Sequence, residues 1–184
     1  MGCRKLRAAL AALACAAVLA GCGSGGSSSG VSAGTYVKSI CNAVGPFEKD
    51  VAARSNALNT ARLTSAAQGK KAVQDFLGAV SADTDKALLQ LQAAGTPGVD
   101  NGKTISTTIV GAFRQLKVAI GSALTQADSL STTSPKAFRN GANQLGGTVR
   151  SSLGGISASL GKLKSPDLEK AAAKEPACTA LSGA

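Results

Sequence analysis

The chain has 184 residues, 44% of them hydrophobic and 16% charged, with 20 Lys and Arg against 10 Asp and Glu. That is enough apolar matter for one packed domain, but with aromatics at 3% its core has to be built from Ala, Leu, Val and Ile. Histidine is absent, which removes the commonest general base, the commonest metal ligand and the usual physiological pH switch together.

The N-terminus has the three parts of an export signal. Arg4, Lys5 and Arg7 form a short cationic region, and Ala8 to Ala20 is a nearly unbroken apolar run. As a helix this run spans about 20 Å, short of the ~30 Å hydrocarbon core of a bilayer, so a removable signal is expected and not a permanent span. The run ends in Leu19-Ala20-Gly21-Cys22, and Gly23 to Gly30 is a Gly and Ser tract without an apolar residue, the composition of a flexible tether. Ala12-Leu13-Ala14-Cys15 offers a rival cut site, but it would shorten the apolar run and leave no tether directly after it.

Leu19-Ala20-Gly21-Cys22 resembles the lipobox of bacterial lipoproteins. The resemblance implies a diacylglycerol on the Cys22 thiol and cleavage just before it by signal peptidase II, with Leu19, Ala20 and Gly21 as the recognition residues. Residues 1–21 are then the signal, 22–33 the lipidated Cys and its tether, and 34–184 the domain held at the extracytoplasmic face of the membrane. Two or more acyl chains give stable anchoring where one is marginal. The competing reading is an ordinary signal peptide with a cysteine nearby, which would release the chain.

Removing Arg4, Lys5 and Arg7 leaves 17 basic residues against 10 acidic, so the mature protein stays cationic. On the lipobox reading Cys3 and Cys15 leave with the signal, and Cys22 carries lipid. Cys41 and Cys178 remain, an even pair outside the reducing cytoplasm, and a disulfide between them is expected. Two free thiols, or a bridge to another protein, are the alternatives.

From Thr35 onward the pattern is helical. Val37, Ile40, Val44, Phe47, Val51 and Leu58 recur at three- and four-residue steps, the stripe of an amphipathic helix. Thr35 is the expected N-cap, Pro46 an expected kink, and Arg54 a long basic chain that reaches the edge of the seam. A second helix is expected from Thr64 to Ala94, with Val73, Phe76, Leu77, Val80, Leu88 and Leu91 inward, stopped by Gly95-Thr96-Pro97-Gly98. Asp100 is the expected cap of a third, with Ile105, Ile109, Ala112, Leu116, Ile120, Ala123, Ala127 and Leu130 as its stripe.

Ser134-Pro135 starts a fourth helix, cap first and proline in the first turn. Phe138, Ala142, Leu145, Val149, Leu153, Ile156, Leu160 and Leu163 carry its apolar face. Gly147, Gly154 and Gly161 lie seven apart on one side of it, a strip open either to a partner backbone or to compositional habit. Ser165-Pro166-Asp167 begins a short last helix ending before Pro176. No strand alternation is present. The expected fold is all-α, an up-and-down four-helix bundle with a short C-terminal fifth helix.

Chemistry finds little footing. A Ser–Lys pair among Ser151, Ser152 and Lys162 is conceivable, but without a base beside a nucleophile no catalytic role is assigned. Asp83 and Asp85, the densest carboxylates, point apart on a helix, so neither a metal nor another cofactor is expected. Lys70-Lys71, Lys162 with Lys164, and Lys170 with Lys174 are small clusters. Nucleic acid is not expected, since aromatics for stacking on bases are missing; anionic lipid headgroups or wall polymers suit the charge better.

The mature chain also resembles the small secreted lipoproteins of high-GC Gram-positive bacteria. It does so in its Ala- and Gly-rich helical composition, in the opening from Thr35-Tyr36-Val37 to Ile40-Cys41, and in the late Cys178. That group has no assigned activity, so the resemblance implies an address. The function expected is a membrane-anchored, non-catalytic interaction or structural module meeting an envelope protein or wall polymer. The alternative is a ligand-binding or sensory bundle with a pocket between helices. Mass spectrometry of the membrane-extracted protein should find an acylated N-terminal Cys22 with nothing before it. A Cys22→Ala chain that is still cut at the same place and released would end the lipobox reading.

Overall fold

The computed structural model describes residues 30–180. Six helices follow one another: α1 (Ala33–Thr60), α2 (Ala66–Ala93), α3 (Gly102–Asp128), α4 (Pro135–Leu160), α5 (Pro166–Ala172) and α6 (Pro176–Thr179). Among the described residues there is no strand, only an isolated parallel bridge between Val31 and Pro97. The all-α bundle read from the periodicity is the fold.

Serine starts three of the long helices by the same device. Ser32, Ser65 and Ser134 each accept a backbone hydrogen bond three residues on, from Thr35 (3.2 Å), Gln68 (3.2 Å) and Ala137 (3.1 Å), which satisfies an amide that the helix leaves open. Gln68 also reaches back to the Thr64 amide and hydroxyl (3.0 and 2.8 Å). Two expected caps shift. Thr35 is not the cap of α1, because Ser32 precedes it and starts the helix earlier. Asp100 is not the cap of α3 either: Asn101 holds that place with φ 59° and makes no side-chain cap. The chain has to reverse sharply there, and Asn tolerates the left-handed region that the reversal requires. α1 runs through Pro46 as one element.

Contacts between named residues set the helix directions. Val31, just before α1, bridges to Pro97, just after α2, so these two helices run antiparallel. Lys70 in the first turns of α2 donates to the main-chain carbonyl of Asp128 at the end of α3 (2.5 Å), and Gln74 donates to its carboxylate (2.7 Å). α2 is the hub: it packs along α1 and α3 and touches α4, whereas α4 lies mainly on α3, and α5 and α6 close over α1. Arg54 of α1 pairs with Asp83 (3.5 Å), and Lys117 of α3 pairs with Asp85 (2.6 Å). The two aspartates of α2 thus point to opposite neighbours, and Arg54 finds a partner at the seam edge.

Small residues make the seams close. Thr84 and Ala127 are fully buried, and Leu91 and Ala123 are 1% exposed. Thr84 satisfies its hydroxyl by donating to the Val80 carbonyl one turn back (2.7 Å). Two of the few aromatics join the same core, Phe47 of α1 meeting Phe113 of α3 edge-to-face at 5.6 Å. Ala43, Val80, Ala87, Leu91, Leu116 and Ile120 complete that cluster.

α4 is held differently. Leu145 is its one buried residue among 26, against eight in the 27-residue α3. Gly146, Gly147, Gly154 and Gly155 would each find open space for a Cβ, so the glycine strip faces outward and covers no backbone. Elsewhere glycine is a packing requirement. A Cβ on Gly69 would lie 2.6 Å from the Phe138 ring, and one on Gly102 would fall 2.0 Å from the Pro97 carbonyl oxygen.

These placements separate two kinds of substitution. Gly154→Ala should raise stability by about 0.5–1 kcal/mol, and Gly102→Ala should lower it. Leu116→Ala should cost about 2–5 kcal/mol as a cavity-forming change, and Lys71→Ala, whose partner Asp75 is equally solvated, under about 1 kcal/mol. Chemical denaturation of the four variants checks the order. Equal losses for Leu116→Ala and Lys71→Ala would mean that the faces are misassigned.

Candidate functional site

Both ends of the described chain meet at one pole. Val31 donates its amide to the Thr96 carbonyl and accepts from the Gly98 amide, both at 2.8 Å, so it is sewn to the α2–α3 turn. Gly30 has no room for a side chain: a Cβ would stand 2.6 Å from the Gly98 nitrogen. The expected tether boundary at residue 33 therefore moves, because Val31 to Ala33 belong to the packed domain. Tyr36, Ala94 and Ile105 fill the floor of this pole, with Val31, Leu163 and Leu168 against them.

Cys178 lies in the one-turn α6, beyond the short helix expected to end before Pro176. It meets Cys41 of α1 with sulfurs 2.04 Å apart and Cα atoms at 5.2 Å. The antiparallel helices return the chain to its starting end, and α5 and α6 carry Cys178 back onto α1. Tyr36 is 2% exposed beside the same pole. Burial pushes its phenol above the ordinary 10.0, and a side-chain hydrogen bond with Ser106 offsets this in part. Ser106 in turn donates to the Gly95 carbonyl (2.8 Å).

The other feature is a groove on the outer flank of the α3–α4 pair, with a volume of about 680 Å³. Val118, Ala119 and Ala123 of α3 face Val149, Gly155 and Ile156 of α4 across it, with Arg114, Gln115, Ser122, Thr148 and Ser152 around them. It exists because α4 offers small residues on this flank. Val118 remains 69% exposed there.

Charge is distributed as unevenly as burial. Residues 101–164 hold eight Lys or Arg and one acidic residue, Asp128, while residues 30–100 hold seven against six. Asp128 already accepts from Gln74. Six of those eight, Lys103, Arg114, Lys117, Lys136, Arg139 and Arg150, lie within α3 and α4, so most of the cationic excess of the described residues falls on that hairpin.

Of the residues singled out in the sequence, Leu19, Ala20, Gly21 and Cys22 lie outside the described residues, as does the tether up to residue 29. Cys41 and Cys178 are brought together. Asp83 and Asp85 are separated into two ion pairs. Ser152 lines the groove; Ser151 faces solvent, as does Lys162. No described helix is long and apolar enough to cross a membrane. Sequence reasoning missed the groove, whose one readable sign was Val118, an apolar residue outside the α3 stripe. Comparison with family models, with curated proteins and with solved structures returns no match.

Two outcomes are expected at the clamped pole. Cys41 and Cys178 are 137 residues apart in sequence, and closing so long a loop suggests up to roughly 4–5 kcal/mol by chain entropy, more commonly about 2–4. Non-reducing peptide mapping should recover the linked peptides, and two freely alkylated cysteines in the folded, exported protein would end the pairing. Tyr36 is the only tyrosine, so phenolate absorbance reports it alone. Because its folded-state pKa is raised, its contribution to stability holds below the ordinary value and is lost as pH rises through the folded one. Ionisation at the free-phenol pH in the native protein would contradict its burial.

Proposed function

We propose that the chain is a lipid-anchored module of the cell envelope, tethered through Cys22 on the extracytoplasmic side, and that it works by binding and not by catalysis. The observation that carries this reading is the asymmetry of the domain. Its interior seams are filled by close-packed Ala, Leu, Val and Ile, while most of its surplus positive charge lies on one hairpin. Such a surface attracts anionic partners, wall polymer or envelope protein, and it does so more strongly at low salt.

The tether supports the same reading. It joins the domain at Val31, on the pole that Cys41–Cys178 closes. About eight Gly and Ser residues span roughly 15 Å as a random coil, so the domain works close to the membrane surface. The alternative, a small-ligand-binding bundle, is favoured by one observation, the α3–α4 groove.

Binding of the exported protein to isolated envelope material tests the proposal. Retention should fall several-fold when Lys136, Arg139 and Arg150 of α4 are changed together to Glu. It should change little when Lys38, Lys49 and Lys86 of α1 and α2 are changed in the same way. Equal losses would show generic charge attraction with no binding face.

A further inference from the structure

We propose that the α3–α4 groove is a binding site for one anionic lipid, with its acyl chain between the two helices and its headgroup on Arg114. The inference deepens the envelope-module reading and rests on it for the source of the lipid, the membrane to which the domain is tethered. The groove itself stands on the geometry.

Its floor is apolar and small, formed by Val118, Ala119 and Ala123 against Val149 and Ile156. Val118, at 69% exposed, is a large apolar side chain left in water, and covering it is favourable. Gly155 supplies part of the space: a Cβ there would meet nothing within 4 Å. The polar groups around this floor, Gln115, Ser122, Thr148 and Ser152, are uncharged donors and acceptors. An apolar bed with a few polar groups, within the ordinary ligand range of ≈ 300–1,000 Å³, suits a small amphiphile.

Charge decides between occupants. The α3 side of the groove, Arg114 to Ala123, is about 14 Å long. An acyl segment laid along that length is flanked by apolar side chains of both helices. None of the lining residues is acidic, and Arg114 has no carboxylate within ion-pair distance among the described residues. The two helices around it carry six cations and one anion. An anionic headgroup therefore meets a free guanidinium able to hold phosphate by two parallel hydrogen bonds, whereas a zwitterionic headgroup brings its own cation to a cationic face.

The test uses the full exported protein with vesicles that contain a phosphatidylglycerol bearing a photoreactive acyl chain, or a phosphatidylcholine with the same chain. Intact mass of the same sample reports whether Cys22 is acylated, so a failed anchor is distinguished from a failed groove. Cross-links should fall on the peptides holding Val118, Val149 and Ile156, at least fivefold more with phosphatidylglycerol. Gly155→Leu, which fills the groove, should reduce them at least fivefold. Gly146→Leu, an equally open glycine of α4 away from the groove, should not. Arg114→Gln should erase the preference for the anionic lipid. Equal yields from both lipids, cross-links confined to the tether or scattered over the surface, or indifference to Gly155→Leu would each overturn the proposal.

Discussion

Everything in this fold leans on α2. It lies between α1 and α3 with small and branched side chains fully enclosed, and its partners approach closely because Thr84 and Ala87 of α2 and Ala123 and Ala127 of α3 have so little bulk. With few aromatics available, close approach is how such a core gains dispersion and sheds water. The two aspartates on α2 add direction more than energy. Partly exposed ion pairs contribute under about 1 kcal/mol each, but Asp83 to Arg54 and Asp85 to Lys117 agree with one rotation of α2 between its neighbours.

The consequence of building around α2 is that α4 is left at the side. It contributes a single buried residue and four glycines that nothing covers. Each such glycine costs helix stability of the order of 1 kcal/mol relative to Ala, and α4 regains little of this through burial. What retains it is its seam with α3, where Leu145 and Val149 pack with Ala123, Ala127 and Leu130, together with Phe138 over Gly69 at its start. Local stability is accordingly uneven, and binding surfaces are commonly drawn from the less stable end of that range. The groove, the exposed Val118 and most of the cationic excess fall on this hairpin.

The opposite pole is the rigid one. Val31 is hydrogen-bonded on both sides to the α2–α3 turn, Gly102 abuts Pro97 with no room for a methyl, and the two cysteines meet there. Under the proposed anchoring the tether meets the domain here, through Val31, and not at the α3–α4 flank. This division between a fixed pole and an open flank is what the proposed module needs.

The helices themselves were legible in the sequence, because three- and four-residue apolar steps and Ser-Pro starts are local signals that act within a turn or two. Composition likewise ruled out histidine chemistry, and Cys41 and Cys178, the two cysteines beyond the proposed signal and lipidation site, stood out as a pair. The caps at Ser32 and Asn101 were not legible: which of several nearby polar residues starts a helix depends on where the preceding chain must go, here against Pro97. The outward direction of the glycine strip and the groove were also hidden. A stripe says that a face is apolar but not how much of it a neighbour covers, and only tertiary packing left α4 half-covered beside α3. The proposed lipobox is the reverse case: Leu19-Ala20-Gly21-Cys22 is a contiguous motif, so reading it needs no tertiary contact.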